Sequence, residues 1–419
     1  MRARFFYGYV ILALCFVNLL CVRGAVASFS VFYIALLEEF GWSHATGASI
    51  VSINSLVYAL ASPLVGWTFD AFGPRYLIPL GGLAFGTGLF LSGLSHSLWE
   101  LYICYGILAA LGHGALGFVS HSALISHWFL KRRATAIGLA NMGQGVGTLI
   151  IVPLTQVLIT GVGWRSAFML LGGLVLIVIV IPNAVLLRRD PKDIGEFADG
   201  DPLDPGERPQ SHGVRASARA WTVRSVLRSY PFWILTAGHF CLGAGIYVIY
   251  THLVAYLAHK GFETLAGAFV LGLIGFMRIG GTLFWGMVSD RLGRIKTYWI
   301  SILITLAGVA CFLAVSPRSP LWIIYAIGIL YGIGHSAGTP TYGAVIADLF
   351  SGPQVGTIYG LVEVSFGLGM ALGAWLGGAI YDLSGSYYWA FVFVLFSFAI
   401  SYVTVRESFA WHELHARVS

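Results

Sequence analysis

Apolar runs of about 20 residues, parted by short polar breaks, recur along the whole chain, and that length of helix crosses the hydrocarbon core of a bilayer. Twelve runs fit, near 7–31, 45–67, 76–96, 99–123, 134–158, 166–187, 231–256, 264–287, 297–316, 321–345, 355–380 and 386–405. The longest polar stretch, from Arg188 to about Tyr230, carries Pro191, Pro202, Pro205 and Pro209 among acids and arginines. It predicts a flexible linker. The expected organisation is a six-helix bundle at 1–187, a cytoplasmic linker at 188–230, a second six-helix bundle at 231–405 and a cytoplasmic tail at 406–419. No other break is long enough for a catalytic or ligand-sensing domain.

Composition agrees. Of 419 residues 58% are hydrophobic and 10% charged, with a mean hydropathy of +0.81; a soluble domain carries about a quarter charged residues. The 53 glycines suit membrane helices that approach closely. Charge placement sets the orientation: 19 of the 24 Lys and Arg fall in the tails and even-numbered loops. Only Arg165, Lys260 and Arg318 lie on the other side, with Arg23 and Arg278 inside helices. The excess of basic loops predicts cytoplasmic termini. The net charge of +6 thereby reflects topology and gives no reason to expect nucleic acid. Cys15, Cys21, Cys104, Cys241 and Cys311 all map to predicted helices without metal-ligand spacing, so neither disulfide nor zinc chemistry is expected. The first apolar run follows Arg2 and Arg4 but lacks a clean cleavage site and is read as the first helix.

The two halves repeat. The break after the second run reads Gly66-Trp-Thr-Phe-Asp70-Ala-Phe-Gly73-Pro-Arg75, and that after the eighth reads Gly286-Met-Val-Ser-Asp290-Arg-Leu-Gly293-Arg294. A Gly-x5-Gly-His pattern ends at His113 and again at His335. Thr135, Gly138, Leu139, Gly145 and Gly147 return 222 residues later as Thr357, Gly360, Leu361, Gly367 and Gly369. Parallel six-helix repeats mark a rocking carrier whose site lies near the midplane between halves. The fold class expected is an all-α membrane protein, twelve transmembrane helices in two pseudo-symmetric six-helix bundles.

The paired Gly-x3-Asp-x2-Gly loops resemble the conserved loop of the major facilitator superfamily, over the whole chain. In that family the loop charges form a conformational latch, a role that falls on Asp70, Arg75, Asp290, Arg291 and Arg294. The run Trp128-Phe-Leu-Lys131-Arg132-Arg133 through Gly143 is similar to the signature of the monocarboxylate porters. Thr251-His-Leu-Val-Ala-Tyr256 through Gly261 resembles bacterial members, including relatives of the oxalate:formate antiporter. The chain departs from the pattern in three places. The first-helix signature is reduced to Tyr7-Gly8-Tyr9, its lysine aligns with Ala27 with Arg23 one turn earlier, and the eighth-helix arginine aligns with Thr282 with Arg278 one turn earlier.

Charge inside a membrane helix costs at least a few kcal/mol, about 3 on insertion scales, and marks a pathway or a partner. Arg278 offers a planar donor fork for a carboxylate or a structural pair for Glu363. Arg23 either clamps a second carboxylate or completes a positive cavity, or else snorkels or neutralises Glu363. Glu363, where the other half has Asn141, is the candidate proton carrier, the alternative being a permanent ion pair. His113 and His335 are candidates for proton coupling and substrate binding, or single-bonded helix braces. Tyr58, Asn54, Gln144, Asn141, Tyr331 and His252 are weaker polar candidates. No Ser-His-Asp set, phosphate loop or dinucleotide fingerprint occurs in a plausible context, so no enzyme, cofactor, metal or ATP-driven pump is expected.

The function expected is secondary transport of a small carboxylate such as lactate or pyruvate, by proton symport. Dicarboxylate–monocarboxylate exchange and a carboxylate sensor signalling through 188–230 are the alternatives. The partners expected are a small organic anion, a proton and the lipid bilayer, with no nucleic acid and one chain working as a monomer. The localisation expected is the plasma membrane, a bacterial inner membrane, with both termini cytoplasmic.

Overall fold

The computed structural model describes residues 6–130, 132–200, 221–338, 342, 345–346, 349–350 and 355–416. Among the described residues there is no β-strand. In the first half, α1 (Gly8–Ala27) and α2 (Phe29–Phe40) form one apolar stretch broken only at Ser28. The Ser28 hydroxyl donates to the Gly24 carbonyl at 2.8 Å, a back-bond that bends helices. Next come α3 (His44–Phe72) and α4 (Pro74–Ser92), then α5 (Leu98–Leu101), which passes through a π-helical stretch, Tyr102–Ala109, into α6 (Ala110–Ala115). A break at Leu116 and Gly117 starts α7 (Phe118–Trp128). Helix α8 (Arg133–Val175) is two spans joined at Gly163, whose φ is 81°. A second π turn, Leu176–Val180, leads into α9 (Ile181–Leu186).

In the second half, the short α10 (Val223–Val226) precedes α11 (Tyr230–His259), α12 (Thr264–Leu292), α13 (Arg294–Ala314), α14 (Leu321–His335), α15 (Val355–Ser384) and α16 (Tyr388–Ala416). Nine stretches of the described residues are long and apolar enough to cross a membrane. One of them, Thr135–Leu186, holds the two spans on either side of Gly163. With Pro74–Ser92 and the shorter Leu321–His335, they account for the twelve runs of the sequence. Several helices overrun the bilayer length: α16 continues through residues 406–416, which the hydropathy pattern sets aside as a tail.

The repeat has a backbone counterpart. Gly73, between α3 and α4, has φ 78°, and Gly293, between α12 and α13, has φ 86°. Both hairpin-like turns need a left-handed residue, which explains a glycine three positions after each aspartate. Gly147 lies so close to the Leu20 carbonyl that a Cβ would collide with it, and Gly369 stands in the same relation to the Phe240 carbonyl. The second glycine of each Gly-x-Gly pair thus marks where α8 crosses α1 and where α15 crosses α11, whereas Gly367 faces Ala59 of α3.

The chain forms two compact units. The first comprises residues 1–28 and 60–212, the second 29–59 and 213–419. In the first, α1 packs along α8, and α4 packs on α6, the adjoining π turn and α8. A buried polar trio ties α1, α7 and α9. Asn183 Nδ2 donates to Asn18 Oδ1 at 2.8 Å, and Asn18 Nδ2 donates to Asn183 Oδ1 at 3.0 Å. Asn18 Nδ2 also reaches His121 Nε2 at 3.1 Å. The His121 Nδ1–H donates to the Gly117 carbonyl at 3.0 Å; a carbonyl only accepts, so Nε2 is left as the lone pair that Asn18 fills.

The start of the linker is ordered against the same unit. A 3-10 turn at Pro191–Ile194 is closed by Asp190 in a capping box with Asp193. Glu196 accepts the Tyr7 N–H at 3.1 Å, Asp199 accepts the Leu130 N–H at 3.0 Å, and the Tyr7 hydroxyl donates to the Leu186 carbonyl at 2.7 Å. In the second unit, α11 packs on α15 and α16, α14 packs on α12 and α13, and α2 rests on α11.

Candidate functional site

Arg278 occupies the middle of α12, half-buried, in a sequence of Gly, Phe, Met and Ile. Its charge is felt by the hydroxyl of Tyr331 on α14, which is fully buried and also close to Tyr250 of α11. Among the described residues the Tyr331 oxygen has no hydrogen-bond partner. His335, one turn on, stacks on the Tyr331 ring with centroids 4.9 Å apart, and its Nδ1 lies 3.2 Å from the Tyr331 carbonyl. Three helices therefore bring a guanidinium, two phenols and an imidazole into one neighbourhood of the second unit.

A second neighbourhood surrounds Glu363 on α15, half-buried, whose carboxylate accepts the Tyr359 hydroxyl one turn earlier. Tyr58 of α3 lies within electrostatic reach of Tyr359, and His239 of α11 within reach of Glu363. The His239 Nδ1–H donates to the Val362 carbonyl at 3.2 Å, and its ring stacks on Tyr342 at 4.3 Å. The Tyr342 hydroxyl shares Ser401 Oγ, at 2.9 Å, with Tyr298. His239, Tyr359 and Tyr342 were not singled out from the sequence. A histidine or tyrosine in an apolar run carries no mark of which face it occupies.

In the first unit, Arg23 of α1 is half-buried and its charge reaches His113 of α6. Gln144 and Asn141 are spent on one another along α8: Gln144 Nε2 donates to Asn141 Oδ1 at 2.7 Å, and Asn141 Nδ2 to the Ile137 carbonyl at 2.9 Å. Asn54 is buried in α3. Among the loop charges, Arg75 and Arg291 are exposed, and Arg294 donates to Ser289 Oγ at 3.1 Å. By backbone, Asp70 and Asp290 sit in the last turns of α3 and α12. Their side chains lie outside the described residues.

A third group lies where the odd-numbered breaks fall, after α2 and after α15. Asp382 caps the start of α3, accepting the His44 N–H at 2.8 Å and the Ala45 N–H at 2.7 Å. His44 Nδ1 lies 2.7 Å from the Tyr387 hydroxyl and 3.0 Å from that of Tyr33. His252 of α11 packs edge-on to Tyr33 at 5.2 Å and tilted on Tyr387 at 5.4 Å. Of these only His252 drew notice in the sequence; Asp382 and Tyr387 meet His44 across more than 300 positions.

The family model of the Major Facilitator Superfamily matches residues 15–284 and 279–412. Monocarboxylate transporter 13 of Bos taurus is 29% identical over 386 residues, 92% of this chain and 85% of that protein. Monocarboxylate transporter 12 of Rattus norvegicus is 26% identical over 419 residues, 96% of this chain and 85% of that one. Monocarboxylate transporter 11 of Homo sapiens is 27% identical, covering 91% and 78%. The crystal structure of a bacterial homolog of the human lysosomal transporter Spinster, inward-facing and unoccupied, superposes with a TM-score of 0.72 at 17% identity, over 96% of this chain and 98% of that one. That last likeness speaks for the fold, two six-helix halves. Enzymatic turnover has no place in such a family, and the protein is an integral membrane transporter. With its polar clusters held on apolar spans and its halves repeating in backbone as in sequence, the chain belongs to the Major Facilitator Superfamily and is related there to the monocarboxylate transporters.

Proposed function

We propose that the chain is a secondary carrier of a small monocarboxylate, of the lactate or pyruvate class, moved together with a proton by alternating access. The observation that carries the reading is Arg278, a guanidinium on an apolar helix beside the buried Tyr331 hydroxyl. A planar fork binds a carboxylate through two N–H groups, and a phenol can donate to the same anion. Arg23, on α1 of the first unit, is the second intramembrane cation of this reading. Glu363, bonded to Tyr359 on one helix, is the proton carrier of this reading, because a carboxyl can lose its charge while an arginine cannot. The termini are cytoplasmic by the distribution of Lys and Arg, and the membrane is a bacterial inner membrane. Asp70, Arg75, Asp290, Arg291 and Arg294 act at the cytoplasmic helix ends as a latch that holds one state. The presence of two intramembrane arginines supports one second reading, exchange of a dicarboxylate for a monocarboxylate.

The test is uptake of radiolabelled lactate, pyruvate and oxalate by proteoliposomes, with and without counter-substrate inside. Symport predicts accumulation into empty vesicles driven by an inward proton gradient, whereas exchange predicts uptake only into loaded ones. Arg278→Ala is expected to lower uptake at least about a hundredfold with insertion intact, the scale of two lost charge-assisted bonds. Arg278→Lys is expected to be nearly as poor. Near-normal uptake by the alanine variant removes the assignment. Glu363→Gln is expected to lose pH-driven accumulation while keeping substrate exchange.

A further inference from the structure

His252 is fully buried on α11. Its Nε2 lies 2.7 Å from the Ala374 carbonyl, which can only accept, so the proton of the neutral ring is on Nε2. Nδ1 is then a bare lone pair, and among the described residues it has no hydrogen-bond partner. The ring is clamped on one side by α15, where a Cβ at Gly377 would come within 2.7 Å of Nε2. Tyr33 and Tyr387 cover it with their rings. A buried basic nitrogen without a partner is rare enough to require a reason.

The cover is removable in principle, because it does not come from the same stretch of chain. Tyr33 and His44 belong to residues 29–59, which by sequence are part of the first six-helix half yet join the compact unit built by residues 213–419. Three contacts hold this segment at the cluster. Asp382 takes the first two amides of α3, a carboxylate on a helix N-terminus. His44 Nδ1 meets Tyr387. The start of α3 lies against α15 so closely that a Cβ at Gly378 would collide with the His44 carbonyl. The titratable groups facing His252 are Tyr33 from α2, His44 from α3, Asp382 from α15 and Tyr387 at the head of α16. Tyr381 joins the rim through His259 at 3.3 Å.

We propose that these groups form a proton-sensitive clasp, which seats residues 29–59 on α11 and α15 while His252 is neutral and releases them when His252 Nδ1 takes a proton. Protonation makes one N–H bond at Nδ1 from a proton of the adjacent water phase, and the ring carries the charge. In the seated arrangement the new N–H points into an aromatic cage with no acceptor. A buried donor left unmet disfavours the state that buries it. Release admits water as acceptor, and the Asp382 carboxylate remains nearby as counter-charge. Acid on the face of the odd-numbered breaks thus favours opening there. The clasp rests on the two-half carrier fold and on no particular substrate, so it stands or falls apart from the carboxylate reading.

The experiment is hydrogen–deuterium exchange of the full chain in lipid nanodiscs, corrected for intrinsic rates, at about pH 7.5 and about pH 5.5, either side of the ordinary histidine range. Exchange within 29–59, above all at residues 44–49, is expected to rise about tenfold at the lower pH, while α8 stays unchanged. His252→Gln, whose side-chain amide can still donate to Ala374 but has no base, is expected to hold its protection at both pH values. Tyr33→Phe and Asp382→Asn are expected to raise exchange at about pH 7.5 by about tenfold. Equal wild-type protection at the two pH values overturns the clasp, and so does an acid response retained by His252→Gln. If the glutamine variant does not insert, wild-type exchange in both Tyr33→Phe and Asp382→Asn overturns it.

Discussion

His121 and His252 are both buried histidines with one ring nitrogen fixed by a backbone carbonyl, and they differ at the other nitrogen. In His121 the second nitrogen accepts the Asn18 amide, which is itself held by Asn183. In His252 the second nitrogen has no hydrogen-bond partner among the described residues, and the rings of Tyr33 and Tyr387 pack on the imidazole. One environment is saturated and the other is one proton short. A saturated network fixes α1, α7 and α9 in a single arrangement, because any shift leaves a buried amide unmet. An unsaturated one is a place where a small chemical change can choose between two arrangements. A rigid bundle and a movable segment need these different kinds of polar interior.

The sharpest way to break the contrast is Asn18→Ala. It strands the Asn183 Oδ1 and the His121 lone pair, while Asn183 Nδ2 keeps the Ile179 carbonyl at 2.7 Å, and about 3 kcal/mol of stability should go. Thermal unfolding in detergent is expected to show a large fall. His121→Leu should cost less, about 2 kcal/mol, since Asn18 and Asn183 keep each other. His252→Leu is expected to cost about 1 kcal/mol or less, because Ala374 is inside α15 and its carbonyl retains a helical partner. Equal losses at the two histidines would erase the distinction drawn from their second nitrogens. The smallest effect belongs to Tyr7→Phe, about 0.5–1 kcal/mol for one bond to the Leu186 carbonyl near the surface.

Much of the architecture was legible in the sequence, for a physical reason. A bilayer forces each span to satisfy its own backbone, so twelve apolar runs map onto helices almost one to one. The glycines of the two Gly-x3-Asp-x2-Gly motifs were readable as a pair, and Gly73 and Gly293 turn out to carry the positive φ that no other residue holds cheaply. The ends of the spans were less readable. The first runs on past Ser28 to Phe40, and α16 continues to Ala416, since helix does not stop where hydropathy does.

The candidate site was legible in its charges and illegible in its neutral partners. Arg23, Arg278 and Glu363 stand out because charge is expensive in lipid. Tyr359 and His239 differ in no such way from the many aromatics and histidines of the spans, and only helix packing gives them company; Tyr331 was read from the sequence as a weaker polar candidate. The Asp382 cap on α3 joins positions 338 residues apart. A lone aspartate at the end of an apolar run looks like any boundary charge.

One contact also bears on how the protein is made. The amide of Tyr7, at the threshold of α1, is held by the carboxylate of Glu196, 189 residues further along. At ribosomal speeds of about 5–20 residues per second, the first helix waits roughly 10–40 s for the acid that completes its entrance. By then the six spans of the first half have already been synthesised. The linker closes the first bundle only after that bundle has been threaded. A chain cut short before Glu196 would therefore leave the first helix without the carboxylate that meets its Tyr7 amide.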